Sequence, residues 1–218
     1  MGGIQTKNLT ILLIVILLII PSSVNVISTE EKNTIYVDDD NTNGPWDGSM
    51  KYPYQYIQAG INAAHESDTV FVHSGLYFEN IMINKTIQLI GENKNSTIID
   101  GSIGGKPSFK IIIIKDCNTS MNGFTLKNGK YSIDIQRACI SIYDNIMTNI
   151  SIGITGSQEH NLEIRNNVIK AKNHAILFFR CSQIRIYHNI LARTDKPTKI
   201  SGVSVFLSGC HYNELSMN

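Results

Sequence analysis

Gly101, Gly123, Asn145, Asn167 and Asn189 stand at equal intervals of 22 residues. No other feature constrains the chain as much, because self-similarity at a fixed period of 20 to 50 residues marks a repeat architecture. The residues before each marker repeat with it. Three positions earlier come Ile142, Ile164 and Ile186, and five earlier come Ile140, Leu162 and Ile184. Side chains of a strand alternate with period two, so these columns point to one side of a strand. Met147, Ile169 and Leu191 follow two positions after the markers and begin a second short strand. Ile154 and Ile176 follow nine after and begin a third. Leu215 and Val205 continue their columns if seven residues are inserted within Thr194 to Gly202, which also brings Asn218 into the marker column.

Helical solenoids need a 3.6-residue apolar period, which these rows lack, and a leucine-rich repeat needs its own leucine spacing and a helix. A parallel β-helix remains, all-β, with coils of about 22 residues and three short strands per coil. Isoleucine stacks on isoleucine inside, and Asn or Gly stacks at a corner, where either tolerates a left-handed backbone. The chain of 218 residues is rich in Ile and Asn and poor in Ala, which agrees with an all-β fold.

Three segments are expected: 1–28 as a signal peptide, 29–66 as an N-terminal strand, an Asp/Asn-rich loop and a cap helix, and 67–218 as coils. Lys7 precedes an apolar run from Leu9 to Ile20, broken by Pro21, with cleavage expected after Ser28. A run of about twelve residues falls short of the ~18–20 that span a bilayer, so the mature chain is not expected to cross one. The expected location is secreted or at the cell surface, or periplasmic in a host with an outer membrane. The sequons at Asn84, Asn95, Asn118 and Asn149 accord with export. Ile57, Ile61 and Ala64 lie at helical spacing, which predicts a helix over Tyr54 to Ala64 covering the first coil. No such cap follows the last row, so a continuation or a partner is expected at the edge near Asn218.

Net charge is +1 and charged residues make up 17%, which excludes the broad basic face of a nucleic-acid binder. The outward columns contain Glu163 beside Arg185, read as a surface ion pair, and Tyr143, Arg165 and Tyr187, read as a strip for sugar stacking or cation–π contact. Asp39, Asn41, Asn43 and Gly44 match the first half of a calcium loop, with Asp47 as a substitute ligand. Met50 stands where the bidentate glutamate belongs, and a polar turn is the competing reading. Trp46 can stack on a sugar or pack against the cap. Cys117 with Cys139, and Cys181 with Cys210, fall in shared columns and are expected as buried thiols, because in-register side chains point in parallel.

The stretches IYVDDDNTNGPWDGS, YIQAGINAA, DTVFVHSGLYFENIMINKTIQLIGE and GFTLKN resemble secreted right-handed β-helix proteins of the pectin-lyase-like superfamily. The resemblance is especially to the NosD-like and carbohydrate-binding or sugar-hydrolase domains of prokaryotic surface proteins, over Thr34 to Asn218. The resemblance implies right-handed coils and leaves activity open, since the superfamily holds lyases, hydrolases, epimerases and adhesins. Its NosD-like side implies copper, but His160 and His211 share a column with Ser182 between them, roughly 10 Å apart, and cannot share one ion directly. The Asn-Thr-Asp and Gly-His-Gly motifs associated with pectin-type hydrolases are missing, and no column holds paired carboxylates. The expected function is a non-catalytic module binding polysaccharide or cell-surface glycan. The alternatives are a polysaccharide lyase, hydrolase or epimerase with its active residues elsewhere, and a structural module of a larger surface protein.

Overall fold

The computed structural model describes residues 32–194, 205–211 and 213–216. The segment expected to be a signal peptide, most of the insertion expected after Thr194, and the Asn218 marker lie outside the described residues. The described chain winds as a right-handed parallel β-helix of about six turns. One sheet stacks the short strands Thr34–Val37, Thr69–Val72, Gln88–Gly91, Asn118–Asn122, Cys139–Tyr143, His160–Arg165, Ser182–Tyr187 and Glu214–Ser216. A second sheet stacks the longer strands, chiefly Lys106–Lys115, Thr125–Gln136, Ile146–Ser157 and Val168–Phe179. The second and third strands expected in a coil therefore run together as one twelve-residue strand in three coils, Thr125–Gln136, Ile146–Ser157 and Val168–Phe179. The first two of these bend at Asn128 and Asn149, left-handed at φ 64° and 50°.

The interior is built from the columns read in the sequence. Ile140, Leu162 and Ile184 are in register, as are Ile142, Ile164, Ile186 and Leu215, and Ile154, Ile176 and Val205. All but Leu215 and Val205, on the last coil, are fully buried, each contributing about 1.5–3 kcal/mol relative to an exposed side chain.

The marker column is corrected in two ways. Asn145, Asn167 and Asn189 do not take the left-handed conformation; the residues before them do, Asp144, Asn166 and His188, with φ of 54–56°. Asp, Asn and His are the side chains that tolerate that region best after glycine. The turn sends the next asparagine inward, where it is buried and fully bonded. Asn145 N–H donates to Asn167 Oδ1 at 3.0 Å, and Asn167 N–H donates to Asn189 Oδ1 at 3.0 Å. The Nδ2 groups donate to carbonyls of their own coil and of the coil before, as Asn167 does to Arg165 O and Ile142 O, both 2.9 Å. Gly123 and Gly101 are not members of this column. The strand after Gly123 pairs at a step of 21, so left-handed Gly123 (φ 85°) matches Asp144, and Phe124 occupies the ladder position below Asn145. Phe124 N–H donates to Asn145 Oδ1 at 3.1 Å and its ring ends the ladder. Gly101 follows Asp100, the partner of Lys127, and so lies beside the Asn128 bend.

The same device recurs at another corner. Left-handed Arg137, Gln158, Arg180 and Gly209 each precede a residue of one inner column: Ala138, Glu159, Cys181 and Cys210. Glu159 accepts from the N–H groups of Arg137 and Ala138, both at 2.9 Å; Glu159 N–H reaches Cys181 Sγ at 3.4 Å, and Cys181 N–H reaches Cys210 Sγ at 3.3 Å. The 21-residue step also puts Cys117 opposite Ala138 rather than Cys139, correcting that expected pairing, because Cys139 lies opposite Asn118. All four cysteines are free thiols, and burial pushes Cys181 up to about 11.

The cap helix is shorter than expected, Ile57–Ala63, and buries Ile57, Gly60 and Ile61 against the first coils. Buried Glu79 accepts from Ile57 N–H at 2.7 Å and Gln58 N–H at 2.9 Å at its start. Lys85 Nζ donates to the carbonyls of Ile61, Asn62 and Ala64 at its end, within 2.7–3.0 Å. Both ends of the helix are thus satisfied by side chains of the coil beneath it.

Candidate functional site

Outward residues of the short-strand sheet also stack in columns. One runs Tyr36, Phe71, Ile90, Asn122, Tyr143, Arg165, Tyr187 and Ser216, each in register with the next. It stands outward because the residues preceding Phe71, Ile90, Asn122, Tyr143, Arg165 and Tyr187 along the strand are in the core, and Ile35, before Tyr36, packs against it. Six rung steps separate Tyr36 from Tyr187, roughly 29 Å at the strand spacing.

Tyr143, Arg165 and Tyr187 are therefore neighbours, as their spacing predicts. The Arg165 guanidinium carbon lies 4.1 Å from the Tyr143 ring centroid. The cation–π contact is made within the strip, so it covers one face of Tyr143 that a sugar would otherwise stack on. At its other end Tyr36, Phe71 and His73 cluster, with Phe71 edge-on to both neighbours at 5.9 and 5.2 Å.

Glu163, read from sequence as half of a surface ion pair, organises the strip. Its Oε1 accepts from Tyr187 Oη at 2.6 Å and lies 3.4 Å from Arg185; its Oε2 accepts from Ser141 Oγ at 3.2 Å and lies 3.9 Å from Arg165 Nε. The Tyr187 hydroxyl above all, with Arg185, Ser141 and Arg165, holds the Glu163 carboxyl below the usual glutamate range against the opposing effect of burial. The same bond pushes the Tyr187 phenol upward. A carboxylate so held stays ionised and positions its neighbours, the Tyr187 phenol, the Ser141 hydroxyl and two guanidinium groups. A depression of about 430 Å³ lined by Asn161, Gln183, Arg185 and Glu214 adjoins it. The diagonal reach from Glu163 to Tyr187 joins adjacent columns, which a register count does not show.

The calcium-loop residues are engaged separately. Asp39 Oδ2 accepts from Leu76 N–H at 3.0 Å, Asn41 Nδ2 donates to Pro53 O at 2.7 Å, and Asp47 Oδ1 accepts from Ser49 N–H at 2.9 Å. That last turn lowers the Asp47 carboxyl. Asn43 sits in the same loop beside Gly44, on which the Trp46 ring packs. Trp46 donates Nε1–H to Asn41 O at 2.7 Å and lies in this loop rather than on the strip. No group of three or more His, Cys, Asp or Glu side chains gathers at metal-binding distance among the described residues. His160, Ser182 and His211 stack in one column, with Ser182 between the histidines. No helix among the described residues is long and apolar enough to cross a membrane.

Compared with models of known protein families and with characterised proteins, the sequence matches none.

Proposed function

We propose that the protein is an exported β-helix module of the pectin-lyase-like type that binds polysaccharide or cell-surface glycan without cleaving it. The observation that carries this reading is the unbroken outer column from Tyr36 to Tyr187. A column with aromatic rings, an amide and a guanidinium at every rung but that of Ile90 suits a linear chain of repeating hydroxyls better than a compact ligand. Glu163 fixes Tyr187 and Arg165 in advance, so little side-chain freedom is lost on binding. Export rests on the apolar leader from Leu9 to Ile20.

The test is retention on a panel of neutral and uronate polysaccharides, with and without calcium, scored together with release of reducing ends. Retention without release is expected. Arg165→Gln removes a charged donor worth about 1.5–3 kcal/mol and should weaken retention about tenfold or more. Released ends would make the protein an enzyme and overturn the reading. Retention that Arg165→Gln leaves unchanged would remove the strip from it.

A further inference from the structure

The long-strand sheet carries a second outward cluster, and it lies where the coil departs from its repeat. Gln88 pairs with Ser120, a step of 32 where the following coils step by 21 or 22. The additional chain forms a hairpin, Ser102–Ile103 against Lys106–Pro107, around left-handed Gly104 and Gly105. Directly after it comes Phe109, 59% exposed. Its ring meets Tyr131 edge-on at 5.1 Å and 65°. Lys130 Nζ lies 4.8 Å from the Phe109 centroid and 5.4 Å from that of Tyr131. Beside them is a depression of about 380 Å³ lined by Phe109, Lys130, Asn149, Ser151 and Lys172.

Its charge is unbalanced. No carboxylate lines it, and Lys130 and Lys172 have no ion-pair partner among the described residues. The nearby Lys110 is neutralised by Asp134 at 2.6 Å. On the Tyr143–Arg165–Tyr187 strip, by contrast, Glu163 offsets the guanidinium groups.

The geometry points to this depression as a second binding site, for an acidic oligosaccharide carrying carboxylate or sulfate groups. Two ammonium groups without a carboxylate partner supply the anion partners, Asn149 and Ser151 supply hydrogen bonds beyond those they make to Asn128 and Asn173, and the part of the exposed Phe109 ring that Lys130 and Tyr131 leave uncovered supplies apolar contact for a sugar. The site stands on a different sheet from the strip and does not depend on the strip binding anything.

Isothermal titration of the protein made from the full chain tests it, with an oligogalacturonate, a sulfated oligosaccharide and the matching neutral oligosaccharide, at low and high salt. An acidic probe should bind, more weakly at high salt, and the neutral probe about tenfold or more weaker. The tighter of the two acidic probes identifies the anion. Phe109→Ala and the double variant Lys130→Gln/Lys172→Gln should each weaken binding about tenfold or more. Arg165→Gln should leave it unchanged, so that failure of the strip and failure of this site read differently. Thermal unfolding of each variant at wild-type temperature excludes misfolding, which is not expected for exposed side chains. Equal binding of the neutral probe, absence of binding, or an oligonucleotide of equal charge bound as tightly with Phe109→Ala neutral would overturn the proposal.

Discussion

Asn167 shows what one residue does for the fold. Its amide accepts from Asn145 N–H and donates to Ile142 O and Arg165 O, all inside the coil. Buried backbone groups left without partners cost about 1–3 kcal/mol each. Asn167→Leu, close in size, should therefore lose about 2–4 kcal/mol in urea unfolding, whereas Phe124→Leu, in the same column but without side-chain polar atoms, should lose less. The reverse order would mean that the ladder does not stabilise the coils. Glu163 makes a pH prediction. Its carboxyl is held low in the fold, so its contribution is full above the ordinary value of about 4.3 and is lost as pH falls below it. The stability gap between the protein and Glu163→Gln should shrink between neutral pH and pH of about 3; a gap that widens would contradict the assignment.

At the scale of elements, the inward strands were legible and the corners were not. Ile142, Ile164 and Ile186 fix a strand face by period two and a coil by period 22, and no other arrangement buries them together. The corner before Phe124 misled because counting by 22 puts Gly123 with the asparagines, while the coil closes in 21. Either residue can turn a corner, and only the pairing register separates them. Tyr143, Arg165 and Tyr187 were legible for the same reason as the core, whereas Glu163's role depends on a diagonal contact and Phe109's on a hairpin that interrupts the count. The Gly91–Gly123 contact tests this register. A Cβ on Gly123 would lie 2.2 Å from Gly91 O, at a backbone φ of 85°. Gly123→Ala should cost about 3 kcal/mol or more, while Gly104→Ala, left-handed with nothing within 4 Å, should cost only about 1–2 kcal/mol. Equal losses would refute the close packing of these coils.

At the scale of the molecule, the coils divide into two kinds. Successive partners from Ser120 through Ser141, Glu163 and Arg185 step by 21, 22 and 22, and carry regular ladders inside and out. The coils before and after step by 35, 19, 32 and 29, and carry the Asp/Asn loop, the helix and the hairpin. The outer column from Tyr36 to Tyr187 crosses both kinds, because the insertions leave the register of the short strands intact. The proposed binding track, roughly 29 Å long, predicts a length-dependent demand on its ligand. The direct measurement is a titration with a length series of the polysaccharide retained best. Affinity should rise with each added sugar until the column from Tyr36 to Tyr187 is covered and then level off, with Tyr36→Ala shifting the plateau to shorter chains. Affinity already complete at one or two sugars, or unmoved by Tyr36→Ala, would contradict a linear binding track on this sheet.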